Sequence, residues 1–281
     1  MNAPSKSINE TTVTIVGAGI AGAATAFFLS QRPGFRVRIL EKEPSPGLHA
    51  TSRNAAMIRR IVAPANLAML AAEGTEFIEQ WARKSADDVF RRTGGIIAGD
   101  EAALQKLTEA SIDGLKTTPV AASDMSVHIP GWHPSNDDHN GILVHDDGVV
   151  DVAALHEYFL HEAQGAGAEL KVATCVEDIV VKDERVHSVI TKTDTLPTDV
   201  LINAAGPWAG KLAALAGGTS IVMSPRKRHL HWTGPIRQAD PGAPYFWDVT
   251  HNFYFRPESG GMLLCACEEE TEEPGDAQPL P

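Results

Sequence analysis

Thr12-Val13-Thr14-Ile15-Val16-Gly17-Ala18-Gly19-Ile20-Ala21-Gly22 is the stretch that decides the fold. A β-branched run ending in G-x-G-x-x-G reads as a strand that turns sharply into a helix. Gly17 permits the tight turn, Gly19 lets the backbone approach a pyrophosphate, and Gly22 lets helix and strand pack closely. The N–H groups and positive dipole end of that helix then face phosphate oxygens. Ala23, Ala24, Ala26 and Leu29 keep the helix slim and apolar. A second strand, Val37-Arg38-Ile39-Leu40, ends at Glu41. Its carboxylate stands about two dozen residues after the first glycine, where an acid accepts from ribose hydroxyls. Strand, helix and acid at this spacing predict dinucleotide binding, and the acid favours an unphosphorylated ribose, hence FAD or NAD over NADP.

The rest of the composition suits a globular enzyme of one large domain or two smaller ones. The chain has 281 residues, 43% hydrophobic, with a formal charge of −12. That charge argues against binding nucleic acid or an anionic membrane through a broad basic surface. Part of it is local, in Glu268-Glu269-Glu270-Thr271-Glu272-Glu273, which reads as a solvated loop. No apolar stretch reaches transmembrane length, and the polar first ten residues lack the pattern of a signal peptide. Cys175, Cys265 and Cys267 cannot form a secreted disulfide framework. A cytoplasmic location is the expectation. Cys265 and Cys267 alternate on an expected strand, share one face, and read as packing residues.

Strand and helix signals alternate along the chain without an internal repeat. Pro44-Ser45-Pro46-Gly47 is a loop. Helical periodicity covers residues 65–84 through Leu67, Leu70, Ala71, Phe77, Ile78 and Trp81. Gly94-Gly95-Ile96-Ile97-Ala98 reads as a strand leading into a helix over 101–116. Residues 129–141 read as a loop marking a crossing between domains. Asp151 is a candidate N-cap for a helix over 152–166. Strands are expected over 169–173, 176–181 and 186–191, then a buried strand running from Asp199 onto the small residues up to Gly206. Residues 229–232, 245–248, 252–256 and 262–267 read as antiparallel β-structure. The order implies an α/β fold: a Rossmann-like cofactor-binding domain at 1–93 and 144–218, and a second, antiparallel β-rich α+β substrate domain at 94–143 and 219–281.

Three separated motifs then converge. The opening glycine motif, the loop Gly47-Leu48-His49-Ala50-Thr51-Ser52-Arg53-Asn54-Ala55-Ala56-Met57-Ile58, and Asn203-Ala204-Ala205-Gly206-Pro207-Trp208-Ala209 together resemble the FAD-dependent D-amino-acid oxidase superfamily. That group includes glycine oxidase, sarcosine oxidase and L-2-hydroxyglutarate dehydrogenase. Gly148-Val149-Val150-Asp151-Val152-Ala153-Ala154-Leu155, followed by Gly167-Ala168, is also typical of it. Within the superfamily the chain resembles most a group of bacterial FAD oxidoreductases with a G-x-H-x-T-x-R loop and a P-x-D-A-Q-P segment, here Pro274 to Pro279.

The resemblance implies FAD as cofactor. It carries cofactor contacts onto Gly17, Ala18, Gly19, Ile20, Ala21 and Gly22, then onto Glu41 and Lys42. In the following loop it implicates His49, Thr51, Ser52, Arg53, Asn54 and Ala55, and later Val176, Ala205, Gly206 and Trp208. Thr51 and Ser52 are expected at a helix start, where hydroxyls and N–H groups hold phosphate. The H-x-x-x-R spacing of His49 and Arg53 resembles sarcosine oxidase, whose His and Arg flank the flavin. His49 is also a candidate for covalent flavin attachment, as in some relatives. Val176 would meet adenine through its main chain. His229, His231 and His251 show no metal spacing with carboxylates and read as structural or surface residues, so no metal is expected.

For catalysis the resemblance points to Tyr254 and Arg256 on the strand that faces the flavin in relatives. In an extended strand the two point the same way, and a hydroxyl beside a guanidinium suits a carboxylate. The implied reaction dehydrogenates a small-molecule amine or amino acid by hydride transfer to flavin, with dioxygen or an electron-transfer partner as acceptor. A 2-hydroxy-acid dehydrogenase of the same superfamily, or a non-catalytic flavoprotein or dehydrogenase subunit, stand as alternatives. Family members continue past the position of Pro281 into a second flavin-contacting segment. A chain ending here is therefore expected to bind flavin weakly, or to need a completing subunit.

Overall fold

A computed structural model describes residues 10–110, 114–133, 139–218, 222–237 and 239–275. They form two compact units, each made of discontinuous pieces. Among the described residues, the first unit takes those within 10–54, 152–225 and 271–275, and the second those within 55–151 and 226–270. The first crossing thus falls at 54/55 rather than 93/94. The strands Met57–Ile58 and Phe90–Arg91 both pair antiparallel with Gly148–Val150, which ties this whole region to the second unit. The described residues within 129–141 accordingly lie inside the second unit, not at a crossing.

The first unit is built on a four-stranded parallel sheet in the order Val200–Asn203, Thr11–Val16, Phe35–Leu40, Glu169–Lys171. β-branched residues dominate its centre, and Val13, Ile15, Val37 and Ile39 are buried. That apolar content is what a parallel sheet covered by helices requires. Helix Ile20–Ser30 turns Ala23, Ala26 and Phe27 inward, and Phe27 packs on Phe159 of helix Val152–Gly165 at 5.2 Å between ring centroids. A separate antiparallel sheet joins Val176–Lys182, Arg185–Thr191 and Thr195–Pro197.

The second unit carries a seven-stranded sheet in the order His231–Trp232, Gly261–Cys265, Phe253–Glu258, Tyr245–Asp248, Gly95–Ala98, Gly141–Val144, Thr117–Val120. All neighbours are antiparallel except Tyr245–Asp248 with Gly95–Ala98. Ile96, Ala98, Val120, Met125, Ile129 and Phe246 form one buried core on it.

Several expected boundaries move. The helix expected over 101–116 is described as Glu101–Ala110, and Thr117–Val120 is a strand. Gly114 lies between them at φ +85°. The strand expected to reach Gly206 stops at Asn203, because Gly206-Pro207-Trp208 forms a turn of 3₁₀ helix. Strand Gly261–Cys265 ends before Cys267, which sits at φ +50°. Both cysteines are nonetheless buried in one cluster with Tyr254. The Pro274–Pro279 motif lies largely outside the described residues. No helix among the described residues is long and apolar enough to cross a membrane.

Candidate functional site

The glycine motif forms the turn its sequence demands. Gly17 adopts φ +103°, and a Cβ there would stand 2.3 Å from the Ala204 carbonyl oxygen. At Gly22 a Cβ would meet the Gly17 carbonyl oxygen at 1.9 Å. These two glycines are fixed by backbone packing. Gly19 differs: a Cβ would approach only Thr51 Oγ1, at 3.1 Å. Its open side faces a cavity of about 300 Å³, at the small end of the range for ligand and cofactor pockets. Gly206, at φ +50° with nothing within 4 Å of a Cβ, gives the opposite wall the same bare backbone.

Glu41 closes one side of this cavity. Its carboxylate is buried, and both oxygens are fixed by main-chain donors: Ala18 N–H to Oε2 at 2.7 Å and Glu43 N–H to Oε1 at 3.0 Å. Each oxygen keeps a further lone pair for a hydroxyl donor. Behind the turn, buried His156 places Nε2 2.8 Å from the Ala18 carbonyl oxygen, bracing the loop from the helix side. A cradle of bare glycine backbone, a helix N-terminus and an oriented buried acid fit the pyrophosphate and ribose of a dinucleotide.

At the rim, Lys42 Nζ lies 3.6 Å above the Trp208 ring, a cation–π contact. His49 packs against the same ring at 4.7 Å and places Nε2 2.9 Å from Glu43 Oε1. Hydrogen bonds from Lys42 and then His49 hold the Glu43 carboxyl below its ordinary range.

Among the residues singled out from sequence, Gly17, Gly19, Glu41, Lys42, His49, Thr51, Val176, Ala205, Gly206 and Trp208 line the cavity. Ala18, Ile20, Ala21, Gly22, Ser52, Arg53 and Asn54 do not. Ala18 is buried under Glu41, Gly22 is buried in the helix packing, and Ala21, Ser52 and Arg53 are exposed. Residues 46–52 form turns rather than a helix start. Thr51 Oγ1 instead accepts from Ile20 N–H at 3.0 Å, so it serves the first helix. Leu40, Gly47, Cys175 and Leu212 line the cavity without having been singled out. Only adjacency to the motifs could have flagged them.

In the second unit Tyr254 and Arg256 are both buried on one side of their strand. Their surroundings differ from the expected carboxylate receptor. Arg256 donates from Nε to the Ala55 carbonyl and from Nη1 to the Pro257 carbonyl, while Nη2 pairs with Glu258. The guanidinium is committed to the fold, and Ala55 is its anchor rather than a lining residue of the cavity. Burial and the Cys265 thiol push the Tyr254 hydroxyl well above the usual tyrosine range. Tyr254 therefore stays neutral in an apolar cluster with Met57 and Leu230.

Sequence reasoning missed a buried polar group in the same unit. Asp147 is fully buried, accepts from the Tyr245 hydroxyl at 2.5 Å and from Arg60 N–H at 3.1 Å, and burial raises its pKa to about 6. Arg59 lies with Cζ 3.5 Å above the Trp247 ring. Burial holds its guanidinium below the usual arginine range, and the Tyr245 and Asp147 groups oppose that shift. Among the described residues no carboxylate lies within ion-pair distance of Arg59.

Fold and cavity together define a dinucleotide-dependent protein with a second, β-rich unit. The chain belongs to the FAD dependent oxidoreductase family, whose model matches residues 12–281, and FAD is the cofactor of that family. It is 26% identical to the mitochondrial L-2-hydroxyglutarate dehydrogenase of Caenorhabditis briggsae, over 92% of this chain and 64% of that protein. It is 24% identical to the 4-methylaminobutanoate oxidase (formaldehyde-forming) of Paenarthrobacter nicotinovorans, over 91% of this chain and 31% of that protein. The chain thus spans under two thirds of the length of these relatives. The fold is similar to L-proline dehydrogenase from P. horikoshii, with TM-score 0.78 and 20% identity, covering 92% of this chain and 69% of that one.

Proposed function

We propose that the protein oxidises an amino acid or secondary amine to an imine, with dioxygen or an electron-transfer protein as the final acceptor. FAD, when bound, supplies the two-electron acceptor. Gly17, Gly19 and Gly22 would seat the pyrophosphate, Glu41 would accept from the ribose, and Val176, Gly206 and Trp208 would wall the nucleotide portion. The observation that carries the substrate's carboxylate is Arg59. A guanidinium withdrawn from water, stacked on Trp247 and unclaimed by any described carboxylate, suits a substrate carboxylate. Arg256, by contrast, is consumed by Ala55, Pro257 and Glu258. Two proteins to which the chain is similar carry proline and a methylamino acid in their names, and both compounds are secondary amines.

A 2-hydroxy acid is the second reading, favoured by the 26% identity to an L-2-hydroxyglutarate dehydrogenase. Anaerobic addition of L-proline, N-methylated amino acids, glycine or L-2-hydroxyglutarate to the flavin-loaded protein separates the two. Bleaching of flavin absorbance by an amine and not by the hydroxy acid is expected; bleaching by the hydroxy acid alone overturns the proposal. Arg59→Ala should raise KM for the carboxylated substrate at least tenfold while leaving the decarboxylated amine unaffected. Equal effects on both substrates would remove Arg59 from the substrate site.

A further inference from the structure

A second cluster of polar side chains stands at one end of the seven-stranded sheet in the second unit. The register places Asp248 beside Ala98, and Ala98 beside Gly141. His139 lies two residues before Gly141, and His251 lies in the turn that follows Asp248. Asn140 fixes the first of these segments: its carbonyl accepts from Gly99 N–H at 3.1 Å and its side-chain oxygen from Ala122 N–H at 3.0 Å. Two segments of the chain therefore deliver His139, and Asp248 with His251, to one place.

The geometry of the trio is specific. Asp248 is buried, and its Oδ1 accepts from Thr250 N–H at 2.9 Å and His251 N–H at 2.7 Å. These bonds lock the carboxylate so that Oδ2 alone faces the imidazoles. His139 Nδ1 and His251 Nδ1 each lie 3.0 Å from that single oxygen. The ring centroids lie 4.5 Å apart with 17° between the ring planes, and both rings turn Nδ1 toward the carboxylate. All three ligand atoms lie within 4.8 Å of one another. Bond lengths of about 2.0–2.1 Å at a tetrahedral ion place its ligand atoms roughly 3.3 Å apart, close to the two 3.0 Å separations seen here.

We propose that His139 Nδ1, His251 Nδ1 and Asp248 Oδ2 form a binding site for a divalent transition-metal ion of the zinc class. Two imidazoles and one carboxylate suit borderline ions rather than calcium or magnesium, which take all-oxygen shells. The site supplies three protein ligands and leaves a fourth position for water. The Oδ1 bonds to the backbone are the outer-shell support that orients a ligating carboxylate. His251 is the exposed member and gives the ion an entry path. The sequence offered no hint, because 109 residues separate His139 from Asp248. The site is distinct from the FAD-family cavity, none of whose lining residues it shares.

The test uses the untagged, flavin-loaded full chain, stripped with a chelator and titrated with zinc chloride against a chromogenic competitor. One equivalent of zinc is expected, with affinity reduced at least tenfold in His139→Ala and in His251→Ala. His161→Ala, at an exposed histidine outside the trio, should bind as the unaltered protein does. Asp248→Asn keeps the Oδ1 acceptor for the turn and removes the anionic ligand, so it too should lose zinc while its circular dichroism is retained. Absence of stoichiometric zinc uptake by the unaltered protein, or uptake undiminished in both alanine variants, overturns the proposal. Cobalt(II) gives a readout that needs no variant. An intense d–d band marks a four-coordinate ion at this site, and the weak spectrum of a hexaaquo-like ion counts against it.

Discussion

The two units handle buried charge in opposite ways. In the first, Glu41 spends both carboxylate oxygens on main-chain N–H groups 23 and 2 residues away in the chain, the former inside the glycine motif. In the second, Asp147 depends on the Tyr245 hydroxyl and on Arg60 N–H, contributed by segments 98 and 87 residues distant. A site made of backbone and glycine can be read from local spacing. A site made of side chains brought together by a sheet cannot.

The sharpest way to break this contrast is to add a single carbon in the first unit. Gly22→Ala places a Cβ 1.9 Å from the Gly17 carbonyl oxygen, a contact no rotamer relieves. A loss of about 4 kcal/mol or more is expected, at the far end of the single-substitution range, measurable as a collapse of the urea midpoint. Gly19→Val should behave differently, since its side chain enters the cavity rather than backbone. Its circular dichroism should stay native while FAD affinity falls by roughly 100-fold or more, a loss of about 2.7 kcal/mol. Undiminished affinity in that variant would separate the cavity from the cofactor.

The second unit should respond to pH through Asp147. Asp147 titrates near 6 in the folded protein, against an ordinary value of 3.8. Between those values the folded state holds more protons than the unfolded chain, so this group's contribution to stability falls as pH rises from about 4 to 6 and is flat above. Asp147→Asn can still accept from Arg60 N–H and donate to the Tyr245 hydroxyl. It should erase that slope and leave the variant on the order of 2 kcal/mol more stable than the parent at pH 8, relative to their difference at pH 4. Tyr245→Phe removes a donor to a buried acid and should cost about 1–3 kcal/mol, read as a lower urea midpoint. The smallest effect is expected at Glu169, whose Oε2 meets Arg38 Nε at 2.9 Å with the acid 43% exposed. Glu169→Gln should cost under about 1 kcal/mol by the same measurement.

Legibility in the sequence followed the same division. The glycine turn and the acid at Glu41 were readable because each sits within a short run whose spacing has one structural use, whereas Gly206 was reached through the family resemblance. The strand alternation that put Tyr254 and Arg256 on one side was also right. What it missed was the competitor for the guanidinium. Glu258 stands two residues beyond Arg256, on the same side of the same strand, and that spacing by itself signals an intrastrand ion pair. Thr51 was expected to open a helix of its own, whereas it lies in turns and accepts from Ile20 N–H of the first helix, a use that turns without a periodic pattern do not signal. Arg59, Asp147 and the trio at Asp248 depend on strand register, which no local window contains.

The discontinuity of the first sheet has a consequence during synthesis. Its central strand Thr11–Val16 pairs with Val200–Asn203, emitted roughly 190 residues later. At about 5–20 residues per second, the earliest strand leaves the ribosome on the order of ten to forty seconds before its partner exists. For that interval Val13 and Ile15, fully enclosed in the finished sheet, belong to an unsatisfied edge. An exposed apolar edge of this kind favours aggregation, so slowing translation between residues 16 and 200 should lower soluble yield without altering the folded protein.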